Sequence, residues 1–204
     1  MGHDHHHHHT SVDAEIRTKA LEALLVEKGL ITTDVIDEVV RQYEEDIGPM
    51  NGARVVARAW TDPDYKKWLL EDGTAAIADM GYSGKEGAKM VVLENTPDVH
   101  NVVVCTLCSC YPWPVLGLPP NWYKSYAYRS RVVREPRAVL QEFGLDLDEE
   151  IEVRVWDSNS EIRYLVLPEQ PEESNGLSVD ELADWVTRDT MIGVAKVEEP
   201  KDDA

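Results

Sequence analysis

Basic residues are scarce in this chain of 204 residues. Twenty lysines and arginines stand against 39 acidic residues, and the formal charge is -19. A surface this acidic repels phosphate backbones and anionic headgroups, so neither nucleic-acid nor membrane binding is expected. No apolar run approaches the length that spans a bilayer, and the first residues contain no apolar signal core. Outside the N-terminal run His3–His9 the only histidine is His100. There are only three cysteines, all within six residues, which excludes a disulfide framework and points to the cytoplasm. No internal repeat is visible.

Those three cysteines are the most informative feature present. They lie in Val104-Cys105-Thr106-Leu107-Cys108-Ser109-Cys110-Tyr111, with the spacing C-x-x-C-x-C. Three thiols this close imply a metal, a redox reaction or an unusual modification. Structural zinc wants four side-chain ligands, commonly from two separated pairs, and here only His100 is left to complete the set. The Cys108-Ser109-Cys110 triplet is short for tetrahedral angles. It suits a flat arrangement in which the Ser109 and Cys110 amides bind together with the Cys108 and Cys110 sulfurs. Cys105 then supplies an axial sulfur, and a sixth position stays open. Such a square favours an oxidised late first-row metal over zinc, magnesium or calcium. Three thiolates and two amidates leave excess negative charge, which should attract arginines or drive oxidation at sulfur. A thiol-disulfide redox role fits less well, because the proline-rich flank and third cysteine do not look like a redox helix start.

Around this cluster the pattern predicts an α+β chain. An N-terminal helical arm leads into a layered α/β domain with the cysteine loop at a strand end. Residues 1–10 read as a disordered His-rich tail or tag, or as a native metal-scavenging tail. Residues 11–48 form the arm, with amphipathic helices over 12–28 and from Thr33, suited to gripping another subunit. Residues 49–198 form the main domain, and 199–204 an acidic tail. Within the domain, helices are expected from Gly52 to Trp60, from Pro63, over 74–80, over 121–134, from Pro136 and from Ser178 to Arg188. Strands are expected at 90–94 and 101–104. Ile151–Trp156 and Ile162–Leu167 read as a pair joined by the turn 157–161. Arg129, Arg131, Arg134 and Arg137 read mainly as a solvated or interface face, with one or two compensating the charge of the cysteine loop.

VCTLCSCYPWPVLGLPPNWY (Val104 to Tyr123), followed by YRSRVVREPR (Tyr128 to Arg137), resembles the alpha subunit of nitrile hydratase, cobalt type. The resemblance extends from the first helix to TRDTMIGV near the end. It implies hydration of nitriles to amides at a non-corrin, low-spin trivalent metal. The implied ligands are the Cys105, Cys108 and Cys110 sulfurs and the Ser109 and Cys110 amides. Cys108 would become a sulfinic acid and Cys110 a sulfenic acid. Thr106 goes with cobalt, whereas iron members carry serine. Ser109 and Cys110 are the implied catalytic residues; whether the metal or the Cys110 sulfenate provides the nucleophile stays open. Asp157, Glu161 and Arg163 would surround the metal loop. Trp113 would either wall the pocket or pack in the core. Relatives have a pocket glutamine where this chain has Glu86. The resemblance also implies a beta subunit, in an αβ or α2β2 assembly and needed for activity, and a cobalt-loading activator protein. The nearest rival is the gamma subunit of thiocyanate hydrolase, which shares the cysteine motif. A zinc-binding structural or interaction subunit is the alternative from a different class.

Overall fold

The computed structural model of the chain describes residues 7–41, 47–82 and 88–200. Two compact units divide it, Met1–Glu44 and Glu45–Ala204. The first contains helices α1 (His7–Glu27) and α2 (Thr33–Arg41). Gly29 takes a left-handed φ of +67 just past α1, and the Leu30 N–H returns to the Leu25 carbonyl. Ile16, Leu21, Leu24 and Leu30 of this unit are exposed.

The second unit begins with α3 (Pro49–Thr61), which starts earlier than the sequence suggests because Pro49 occupies its first turn. Its buried residues are mostly small: Gly52, Ala53, Ala57 and Ala59, with Val55 and Val56. Small residues let neighbours approach closely, and a Cβ on Gly52 would stand 2.6 Å from the Met191 sulfur. Asp62 then caps α4 (Pro63–Glu71), accepting from the Asp64 and Tyr65 N–H groups, and Asp72 caps α5 (Gly73–Asp79) in the same way.

Four strands follow the helices: β1 (Lys89–Glu94), β2 (Val99–Val104), β3 (Glu152–Asp157) and β4 (Ile162–Leu167). The sequence pattern places β3 and β4 correctly but not their pairing. They do not form a hairpin; β4 pairs with β1 and β3 with β2, both in parallel. The reason lies in the corner between them. Asn159 Oδ1 accepts from the Glu161 and Ile162 N–H groups, turning the chain out of one sheet and into the other. β2 is buried nearly throughout, which is the signature of a parallel strand covered on both faces. Alternation in sequence reports a strand, not its partner.

Between β2 and β3 run α6 (Trp113–Leu116), α7 (Asn121–Lys124), α8 (Tyr126–Arg131) and α9 (Pro136–Glu142). The helix expected over 121–134 is broken because Ser125 is extended and caps α8 by accepting from the Tyr128 N–H. The final helix is broken too. A capping box at Ser178 starts α10 (Val179–Trp185), and a second at Thr187 starts α11 (Arg188–Ile192). No helix among the described residues is long and apolar enough to cross a membrane.

A polar network crosses the core at the start of β2. His100 is 4 % exposed, and its Nε2–H donates to the Gly193 carbonyl at 2.8 Å. That bond assigns the tautomer and leaves Nδ1 to accept from the Asn95 amide at 3.3 Å. Asn95 Oδ1 in turn accepts from the Asn101 N–H, and Asn101 Oδ1 from Trp156 Nε1. Burial, aided by the Lys196 charge, holds the His100 pKa below its ordinary 6.5. The fold therefore retains the neutral ring. Above about pH 6.5 both folded and unfolded chains hold it neutral; as pH falls below that value the unfolded chain binds the proton first, and stability drops. The urea midpoint should accordingly fall between pH 7 and 5.5, and fall less in His100→Gln. An equal slope in the two proteins would contradict this.

Candidate metal centre

Parallel pairing decides what surrounds the cysteines. Val104 and Asp157, the last residues of β2 and β3, are register partners. The segment leaving β2 therefore emerges beside the β3–β4 corner. Asp157 uses this proximity: its Oδ1 accepts from the Thr106 N–H at 2.9 Å and its Oδ2 from the Thr106 hydroxyl at 2.5 Å. The loop is thereby pinned at its first residue past Cys105.

The three sulfurs converge. Cys108 Sγ lies 3.5 Å from Cys105 Sγ and 3.1 Å from Cys110 Sγ, and all three fall within 4.8 Å of one another. Cys105 and Cys110 are buried and Cys108 is exposed. The Cys108 N–H points at the Cys105 sulfur at 3.3 Å. The Cys110 thiol beside it draws the Cys108 pKa down to about 7, with the Cys105 thiol and the Ser109 and Cys110 amides adding to the effect. Burial pushes Cys110 up to about 12, against the opposing charge of Arg163. One sulfur is thus readily ionised while its neighbour keeps its proton, as expected when thiols share a site.

Three side chains from α7 and α8 hold carbonyls at the end of β2 and in the loop that follows it. Tyr128 donates to the Val103 carbonyl at 2.7 Å, Arg129 Nη1 to the Cys108 carbonyl at 2.8 Å, and Tyr123 to the Cys110 carbonyl at 2.9 Å. Arg129 Nε and Arg163 Nε and Nη1 are buried with no hydrogen-bond partner among the described residues. Soft sulfurs, adjacent amides and unspent guanidinium donors fit a thiophilic transition metal carrying anionic sulfur ligands.

The family described as nitrile hydratase, alpha chain, matches residues 12–195. The chain belongs to that family. It is 58% identical over 189 residues to the alpha subunit of the high-molecular weight cobalt-containing nitrile hydratase of Rhodococcus rhodochrous, covering 92% of this chain and 93% of that one. A solved structure of an iron-type nitrile hydratase from Comamonas testosteroni Ni1, a double mutant, superposes with a TM-score of 0.87 at 45% identity, covering 93% and 92% of the two chains. The gamma subunit of thiocyanate hydrolase from Thiobacillus thioparus is 45% identical over 194 residues, 90% of this chain and 79% of that one.

As a member of the nitrile hydratase alpha-chain family, the protein is an enzyme subunit, and the sequence motif and the sulfur cluster fall on the same three residues. Ser109 and Cys110 lie within the loop itself. Asp157 touches it through Thr106, and the Arg163 charge acts on Cys110. Glu161 is exposed at the β3–β4 corner, where its carbonyl accepts from the Lys89 N–H. Trp113 is half-buried and packs on one side against the core. Glu86 lies outside the described residues. Sequence reasoning missed the grip by Tyr123 and Tyr128. The signal was available: two tyrosines and an arginine follow the loop within a short helical stretch. Of the other arginines, Arg131 pairs with Glu135 and Glu142, and Arg137 donates to loop carbonyls at Leu147, Asp148, Glu149 and Ile151. They hold the helical crossover together and are not part of the centre.

Proposed function

We propose that this chain is the metal-carrying alpha subunit of a nitrile hydratase, converting nitriles to amides at a trivalent cobalt. The carrying observation is the convergence of three sulfurs within 4.8 Å at the end of β2. The ligands are the Cys105, Cys108 and Cys110 sulfurs and the Ser109 and Cys110 amide nitrogens. Cobalt over iron is supported by Thr106 and by the cobalt-containing relative, although an iron-type enzyme shares the fold.

When bound, the metal supplies a Lewis acid with one open position. The chain's own residues do the rest. Cys108, whose pKa the Cys110 thiol beside it draws down, would be the site of sulfinic oxidation by molecular oxygen, and Cys110 of sulfenic oxidation. Cys110 and Ser109 would line the place where substrate meets the metal, with the Ser109 hydroxyl orienting the attacking water through a hydrogen bond. Arg163 balances the oxidised sulfurs, and Asp157 holds the loop in register. Trp113, which is only partly buried, walls the substrate pocket.

The exposed apolar residues of α1 and α2 support an arm, residues 11–48, that grips a beta subunit, ahead of a catalytic domain at 49–198. A cobalt-loading activator, a cytoplasmic location, a His-rich tail at 1–10 and an acidic tail at 199–204 complete the reading. The similarity to a thiocyanate hydrolase gamma subunit supports a second reading, with thiocyanate as substrate. Purification of the complex from cobalt-supplemented cells tests both. The lead reading expects about one cobalt per chain, mass gains of about 32 and 16 Da on two cysteines, and amide production from an organic nitrile. Turnover of thiocyanate instead favours the second reading. Tetrahedral zinc on unmodified thiols removes both.

A further inference from the structure

The proposed centre requires the Ser109 amide nitrogen to face the metal. Nothing in the cysteine spacing itself dictates that orientation, since the Cys108–Ser109 peptide plane can rotate as a unit. Oriented the other way, it would present a carbonyl oxygen to the cluster instead of a nitrogen. A peptide is planar, and in its trans form the carbonyl and the N–H point in opposite directions. The described backbone contains no cis peptide. Fixing the Cys108 oxygen therefore fixes the Ser109 nitrogen.

Arg129 holds that oxygen, with Nη1 donating at 2.8 Å. The two other side chains act on different planes. Tyr128 takes the Val103 oxygen, and Tyr123 takes the Cys110 oxygen, whose peptide nitrogen belongs to Tyr111. Arg129 alone among these three acts on a peptide whose nitrogen is a proposed ligand. The guanidinium is held in place from the last turn of α8, a short helix fixed by the Ser125 cap and by the buried Tyr128. A charge-assisted bond from such a rigid anchor is a strong orienting device.

We infer that Arg129 is a positioning residue that presets the Cys108–Ser109 peptide, so that the Ser109 nitrogen faces the metal before the metal arrives. This rests on the nitrile hydratase reading, because it presupposes an amide ligand. Arg129 touches neither substrate nor metal in this role. Its effect is on which donor atoms meet the ion and how readily the ion is taken up.

The test compares Arg129→Met, which keeps the stem but no donor, and Arg129→Lys, which keeps a cation and donors, each in the complex purified from cobalt-supplemented cells. Cobalt per chain should fall about tenfold in the Met variant, the scale seen when a group orienting a metal ligand is lost, and recover in the Lys variant. X-ray absorption then counts nitrogen donors on whatever cobalt is loaded, a reading independent of how much protein folds. The expected result is two nitrogen donors in the unsubstituted complex and fewer in the Met variant. Two nitrogen donors in both overturn the role of Arg129 and leave the functional reading standing. A metal without nitrogen donors in the unsubstituted complex overturns the functional reading itself.

Discussion

Replacing Cys108 with alanine is expected to remove most of the metal and to lower nitrile hydration by the complex more than about 100-fold. Groups that merely orient a ligand cost about 10–100-fold when removed, and loss of a ligand should exceed that. Cys108 is the central sulfur, 3.5 Å from one neighbour and 3.1 Å from the other. It is also exposed, so its thiol contributes little packing. The thermal midpoint should therefore barely move while metal and activity collapse. Cys105→Ala is the informative contrast. That side chain is wholly buried, so its loss should cost stability as well as metal. Metal analysis, an amide-formation assay and a melting curve on both variants read the difference. Full cobalt occupancy in Cys108→Ala would refute the ligand assignment.

Gly193→Ala should be the most damaging single-methyl change to the fold. Gly193 has a φ of +87, and an added Cβ would stand 1.9 Å from the Asn101 carbonyl oxygen. Asn101 sits in the middle of β2, the strand that delivers the cysteines, with Arg154 of β3 opposite it in register. The strand cannot retreat without breaking that pairing, and Gly193 cannot retreat without losing the His100 bond to its carbonyl. A destabilisation of roughly 3 kcal/mol or more is expected, combining left-handed strain with a backbone clash. Gly144 provides the control. Its φ is +85, but nothing lies within 4 Å of its virtual Cβ. Gly144→Ala should cost only the strain, about 1 kcal/mol. Urea denaturation of the two variants separates the terms; equal losses would show that the approach to Asn101 is unimportant.

Local chemistry was readable from the residues, and long-range partnership was not. Ser178 starts its helix with the capping box that its spacing to Glu181 suggests. The cysteine spacing foretold a cluster, because three thiols within six residues have little room to diverge. The pairing of β3 was misread because alternation is a property of one strand, whereas the partner is chosen by the whole layer. Ser125 and Thr187 broke expected helices since each can serve either inside a helix or as its cap. Arg129 looked like its solvated neighbours Arg131 and Arg134; only the three-dimensional return of α8 onto the loop distinguishes it. For Asp157, turn chemistry alone named a turn residue, and its bond to Thr106 spans 51 positions of chain.

That span imposes an order on biosynthesis. A nascent chain emerging from the ribosome presents its thiols well before the carboxylate that will hold Thr106 has been translated. During that interval β2 also has no β3 to lie against, and Gly193 is still later in the chain. Closure over such a distance is slow relative to local helix formation. A metal held by the cysteines would therefore meet its complete surroundings only after β3 and the Gly193 segment have been made and have packed against β2.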